Sequence, residues 1–186
     1  MKVQNRIAQL KKRILLLEEF QTIHDNQNPT NSISFTIKNS ELENAELIDR
    51  IKFFKEDKSS PFVYFFELEN NLNNQQIHNK LEVYRHDCKN GIKSGAVVKL
   101  PKNARESTSS TLYVGSVKSN MHTRILGHLG YGHHKTYSLK LNKWFPENLE
   151  LGFHWIKLPK QFEEITSDIE ASLNTFKNPL LGKRVD

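Results

Sequence analysis

The hydrophobic positions along this chain change period several times, and each change marks an element. Over residues 1–22, Val3, Ile7, Leu10, Ile14 and Leu17 fall alternately four and three apart, the spacing of one helix face. Lys2, Arg6, Lys11, Lys12 and Arg13 make the rest of that helix basic. From Ser32 to Ile37 the period drops to two, with Ile33, Phe35 and Ile37 on one side of a half-buried strand. Ser40-Glu41-Leu42-Glu43 matches a capping box and predicts a helix to about Phe54, with Leu47, Ile48, Ile51 and Phe54 inward. A charged turn, Lys55 to Pro61, leads into Phe62-Val63-Tyr64-Phe65-Phe66-Glu67-Leu68, a dense apolar run that reads as a buried central strand.

Beyond it the signal weakens. Leu72, Ile77, Leu81 and Tyr84 predict an irregular helix within 69–90, Ala96-Val97-Val98 a weak strand, and residues 101–110 a polar loop. Leu112-Tyr113-Val114 is a short strand, and Gly115 is read as a tight turn after it. Ser119 or Asn120 caps a helix carrying Met121, Ile125, Leu126 and Leu129, which Gly130 ends. Thr136 to Phe145 fits either period; the helical reading is preferred because it continues to Trp144 before Pro146 breaks it. Leu149 to Leu158 is a strand closed by Pro159, and Phe162, Ile165, Ile169, Leu173 and Phe176 make an amphipathic helix. The expected fold is mixed α/β: a small central sheet holding the strands near 62–68, 111–115 and 149–158, with helices around it.

Composition narrows the partners. At 186 residues the chain fits one domain with decorations, or one domain and a small second lobe. A net charge of +6 and a pI near 9.3 favour a polyanion, nucleic acid or an acidic membrane surface. The single cysteine, Cys88, excludes an intramolecular disulfide framework and a multi-cysteine zinc site, and fits a reducing cytoplasm. His122, His128, His133 and His134 follow no usual zinc spacing. No apolar run reaches membrane-spanning length, and the charged N-terminal segment lacks a signal-peptide core, so a cytoplasmic protein is expected.

The chemistry concentrates between Thr111 and Gly132. Arg124 and His128 stand four residues apart and emerge from one helix face, just after a strand tip bearing Tyr113. Arginine offers a forked, permanently charged donor and histidine titrates near neutrality, a pairing suited to phosphate. Tyr113-Val114-Gly115 followed by Arg124 and His128 resembles the second half of the core motif of GIY-YIG nucleases. Phe62-Val63-Tyr64 takes the place of the family's first strand, with Phe62 where that motif has glycine. Either residues 69–108 are an insertion between two neighbouring strands, or the first tyrosine is another, Tyr84 being the candidate. Ile169-Glu170-Ala171-Ser172-Leu173, with Pro179 nine residues after the acid, resembles the family's late glutamate helix. Gly182 stands where many members have asparagine; Asn174 and Asn178 are nearby substitutes.

The resemblance implies an extension over 1–57 and a catalytic core over 58–186. It implies Tyr64 as general base, Tyr113 positioning water or phosphate, Arg124 and His128 supplying field, and Glu170 holding Mg²⁺ (or Mn²⁺). Lys118, His133, His134 and Lys135 are expected to contribute a basic rim for nucleic acid. The implied activity is Mg²⁺-dependent hydrolysis of double-stranded DNA by a restriction-type endonuclease, with a homodimer as one assembly. Two other readings are a nucleic-acid-binding module of the same fold without cleavage, and an interaction protein dimerising through helix 1–22. A helix lying on its own domain is preferred for that segment, since two heptads seldom hold a coiled coil.

Overall fold

Four runs rich in β-branched and aromatic residues pair into one antiparallel sheet. In the computed structural model, which describes residues 2–26, 33–69, 74–92, 109–133 and 138–182, they are β1 (Ile33–Lys38), β2 (Phe62–Leu68), β3 (Thr111–Val117) and β4 (Glu150–Lys157). Their spatial order is β1-β4-β2-β3, so the aromatic run at 62–68 lies inside the sheet. The helices are α1 (Lys2–Asn26), α2 (Ala45–Arg50), α3 (Asn74–Lys89), α4 (Met121–Leu129) and α5 (Thr166–Lys177). The mixed α/β expectation holds. No helix among the described residues is long and apolar enough to cross a membrane.

Alternation along β2 sends Phe62, Tyr64, Phe66 and Leu68 to one face. There they join Leu151, Phe153 and Trp155 of β4 and Ile37 of β1 in the main core. Phe153 is fully buried, with ring centroids 4.8 Å from Phe66, 5.3 Å from Trp155 and 5.5 Å from Phe35. Val63 points to the other face, into a smaller cluster with Leu158, Phe162, Ile165 and Ile169, and Leu16 and Leu17 of α1 pack against it.

Several local expectations are corrected. The helix expected over 40–54 is broken into 3₁₀ turns at Asn39–Glu41 and Lys52–Lys55 around the short α2. Asn44, not Ser40, is the cap: its side chain accepts from the Glu46 N–H (3.0 Å), while Glu41 accepts from the Lys38 N–H (2.9 Å). Leu42, rather than Ile48, joins Leu47, Ile51 and Phe54 in the core. The helix preferred over 136–145 is absent from its described part, 138–145, which holds only a 3₁₀ turn at Leu141–Lys143. Lys140 there adopts φ 57° and is buried, its Nζ donating to the Gly132 and His133 carbonyls (3.3 and 3.0 Å). The Trp144 indole donates to the Leu139 carbonyl (2.7 Å), so side chains hold this turn. Ala96-Val97-Val98 and Leu72 lie outside the described residues.

Residues 33–55 are integral to the core, because β1 extends the sheet and Leu42, Leu47, Ile51 and Phe54 are buried in it. The connection between β2 and β3 carries α3, which buries Ile77, Leu81, Tyr84 and Cys88. Gly130 ends α4 with φ 112°, in van der Waals overlap range of Asn142 for any added Cβ.

Truncating Phe153 to alanine removes the ring on which the core aromatics converge. The expected loss is about 3–5 kcal/mol, lowering the melting midpoint by roughly 10 °C, measured by calorimetry or circular dichroism.

Candidate functional site

The antiparallel register of β2 and β3 sets Tyr64 opposite Gly115 and Phe66 opposite Tyr113. Positions two apart and directly opposite share a face, so the two tyrosines lean toward each other, ring centroids 6.4 Å apart. Tyr84 faces the core from α3 instead, so Tyr64 is the tyrosine beside Tyr113. Gly115 lies within β3 and not in a turn, a correction to the sequence reading. Its role is spatial: a Cβ there would sit 2.6 Å from Tyr64 Oη and 2.8 Å from Tyr113 Cε1.

Helix α4 lies over these rings. Arg124 Nε donates to Tyr64 Oη (2.9 Å), and Arg124 Nη2 to Tyr113 Oη (3.3 Å). One turn on, His128 Nε2 is 2.8 Å from Tyr64 Oη. The Leu139 backbone N–H donates to His128 Nδ1 (3.2 Å), so in the neutral ring the proton sits on Nε2. Tyr64 Oη therefore accepts from both Arg124 and His128. Burial, together with the charges of Arg124 and Lys140, holds the His128 pKa well below its ordinary value. Burial pushes the Tyr64 phenol up, as do Tyr113 and Glu170, while Arg124 opposes the shift. Both Tyr64 and His128 are fully buried; Tyr113 is 6% exposed and Arg124 half-buried.

Glu170 enters from α5. Ser116 Oγ, next to Gly115 on β3, donates a short hydrogen bond to Glu170 Oε2. Ser116 stands opposite Val63, on the sheet face away from the tyrosines, and β3 is the sheet's edge strand. The carboxylate and the tyrosines thus approach from two sides of one edge, closely enough for Glu170 to act on the Tyr64 pKa. The chain after α5 covers the first half of that edge, where the Leu180 and Leu181 N–H groups donate to the Thr111 and Leu112 carbonyls (both 2.9 Å). Gly182 follows with φ 133°; a Cβ there would lie 3.8 Å from Tyr113 Cδ2 and 3.9 Å from Asn174 Nδ2. Asn174, rather than the helix-capping Asn178, is the asparagine beside Gly182.

The structure thus brings Tyr64, Tyr113, Arg124, His128 and Glu170 to one place. Lys118 is exposed just after β3, where its charge helps hold the Glu163 pKa down, after the larger effect of Lys160. His133 is exposed after α4, next to Gly132, which packs back against Gly127 of that helix. His134 and Lys135 lie outside the described residues. Sequence reasoning missed Ser116, Lys140 and the Leu139 amide. Only strand alternation after Gly115 carried a signal for Ser116.

Two other features compete less well. Glu67, on the opposite face, is satisfied internally by Ser110 Oγ (2.9 Å) and Lys177 Nζ (3.4 Å). A cleft of about 930 Å³ between Phe53, Trp155, Lys157 and Lys160 contains none of the five. Models of protein families, characterised proteins and solved structures were all compared with this chain, and none matches it.

Gly115→Ala is expected to displace both tyrosine rings and break the Arg124 bridge; near-ultraviolet circular dichroism reads the change in tyrosine environment. The fold's acid response has its largest contribution from His128, with His122 and His154, whose pKa values burial also lowers, adding to it. The unfolded ring gains its proton near pH 6.5 and the folded one only at lower pH, so stability is full above about pH 6.5 and falls as pH drops below it. Urea midpoints at pH 7.5 and 5.5 measure this, and His128→Gln is expected to reduce the difference.

Proposed function

We propose that this chain is a Mg²⁺-dependent, GIY-YIG-type endonuclease that hydrolyses double-stranded DNA. The observation that carries the reading is the Arg124 guanidinium spanning both tyrosine hydroxyls while Ser116 fixes Glu170 at the same sheet edge. A phosphodiester needs positive charge for its non-bridging oxygens and a group to hold a divalent ion.

The donor set fits Mg²⁺ rather than a dehydrated ion. Glu170 is one half-buried carboxylate, and among the described residues no three His, Cys, Asp or Glu side chains gather to form a full ligand cage. Mg²⁺ keeps much of its water and needs only one or two carboxylates. When bound at Glu170, it supplies charge neutralisation at the leaving 3′ oxygen.

The chain's own groups divide the remaining work. Arg124 and Tyr113 meet the phosphate, since they are the members of the aromatic-guanidinium set with exposed surface. Tyr64, which the resemblance makes the base, is fully buried and holds its proton tightly. We therefore assign it, with His128, to fixing the guanidinium in place. Lys118 extends the positive surface beside the edge.

The burial of Tyr64 and His128 also favours a second reading, a nucleic-acid-binding module without cleavage. Plasmid nicking with Mg²⁺ against EDTA separates the two, and a salt-dependent gel shift detects binding in either case. Glu170→Ala and Arg124→Ala are each expected to lower nicking by at least about 10²-fold, with Tyr64→Phe milder. Nicking unchanged by Glu170→Ala would remove the proposed metal site.

A further inference from the structure

The Phe53 ring is 48% exposed although its aromatic neighbours are buried. It leans on Phe54 (centroids 4.0 Å apart) and on Trp155 (5.7 Å). A lone exposed phenylalanine is ordinary, but this one walls a cleft of about 930 Å³ floored by the buried Phe54, Phe62 and Trp155. That volume is in the range that holds a small organic group. The cleft adjoins the candidate site through the sheet. Trp155 pairs with Tyr64 in register, and Phe62 pairs with both Lys157 and Val117. Two strand spacings, about 10 Å, therefore separate Lys157 at the cleft from Val117, the neighbour of Ser116. The charges round the cleft favour an anion. Glu56 and Asp57 on its wall are matched by Lys157 and Lys160, with Lys157 paired to Asp57. Exposed Lys55, Lys58 and Lys118 flank it, against Glu163, so positive charge is in excess. They also bridge to the site: the Asn120 N–H donates to the Lys58 carbonyl (3.2 Å) at the start of α4, and Lys118 lies two residues beyond Ser116.

We propose that this cleft takes one unpaired nucleobase, stacked on Phe53, from a nucleic acid whose backbone runs over Lys58 and Lys118 toward Arg124. The inference rests on the nucleic-acid reading above and narrows its substrate to duplexes with an unpaired or extrudable base. Every base has a π-face for the exposed ring, while its phosphate stays in water among the lysines. A base paired inside a duplex shows only its edges in the grooves and must leave the stack to enter a cleft. An apolar peptide would cover the Phe53 ring but leave the surplus lysine charge unmatched. At the stacked rise of about 3.4 Å per nucleotide, the span of about 10 Å from the sheet edge corresponds to roughly three nucleotides. The unpaired position therefore lies close to the phosphate to be cut, within the same few nucleotides.

Fluorescence anisotropy on the full chain with two short labelled duplexes tests this, one fully paired and one carrying a single bulged thymidine, in EDTA so that no cleavage intervenes. Wild type is expected to bind the bulged duplex about tenfold more tightly. Phe53→Ala is expected to abolish that preference and Phe53→Tyr to keep it, both with unchanged circular dichroism. Lys58→Glu combined with Lys118→Glu is expected to weaken binding of both duplexes and to flatten its salt dependence. Equal wild-type affinity for the two duplexes, or a preference that survives Phe53→Ala, overturns the base cleft and leaves the nucleic-acid reading standing. Binding of neither duplex overturns both. An anilinonaphthalenesulfonate dye that binds wild type but not Phe53→Ala, and that the bulged duplex fails to displace, marks the groove of an apolar partner and also overturns the proposal.

Discussion

A guanidinium half withdrawn from water must be given oxygen partners, and Arg124 donates to two tyrosine hydroxyls. That requirement organises the neighbourhood. Tyr64 can receive Arg124 only because Gly115 opposite leaves its ring room. Its oxygen takes a second donor from His128, whose tautomer is set by the Leu139 amide. The Leu139 amide is in turn placed by a turn that Lys140 and Trp144 brace. Three separated parts of the chain, β2–β3, α4 and 138–144, therefore meet on one phenolic oxygen.

The same logic extends outward to the carboxylate. Glu170 sits on a helix tied on one side to β3 through Ser116 and on the other to α1 through Asp168. The N-terminal elements are thus more than decoration. β1 widens the sheet, residues 42–54 fill its core, and α1 braces the helix from which the acid projects.

Much of this was legible in residue order. The aromatic run at 62–68 announced an interior strand, and the four-residue step from Arg124 to His128 announced a shared face, because both signals are local and strongly periodic. Whether the strands at 62–68 and 111–115 are neighbours was open in the sequence; the pairing of Tyr64 with Gly115 shows that they are. What stayed hidden depended on tertiary contact. Gly115 looked like a turn because a glycine that makes space and a glycine that bends the chain are written the same way. Ser40 looked like a cap, but Asn44 sat where the backbone actually turned. The 138–145 segment carried a helical pattern that a buried lysine and an indole override. Strand alternation could give the face of Ser116 but not its partner, which lies more than fifty residues away.

The strands bearing the two tyrosines are neighbours in space, yet about forty residues, including α3, separate them along the chain, and closing so long a loop costs about 2 kcal/mol more than closing a four-residue hairpin. A hydrogen bond from the Leu68 N–H to the Ser110 carbonyl (2.8 Å) pinches the mouth of this excursion. Assembly of the tyrosine pair is therefore non-local, while further changes in the length of the excursion cost little closure entropy. Evolution could change the length of that excursion and leave the paired rings where they are, provided Ile77, Leu81, Tyr84 and Cys88 of α3 keep their places in the core.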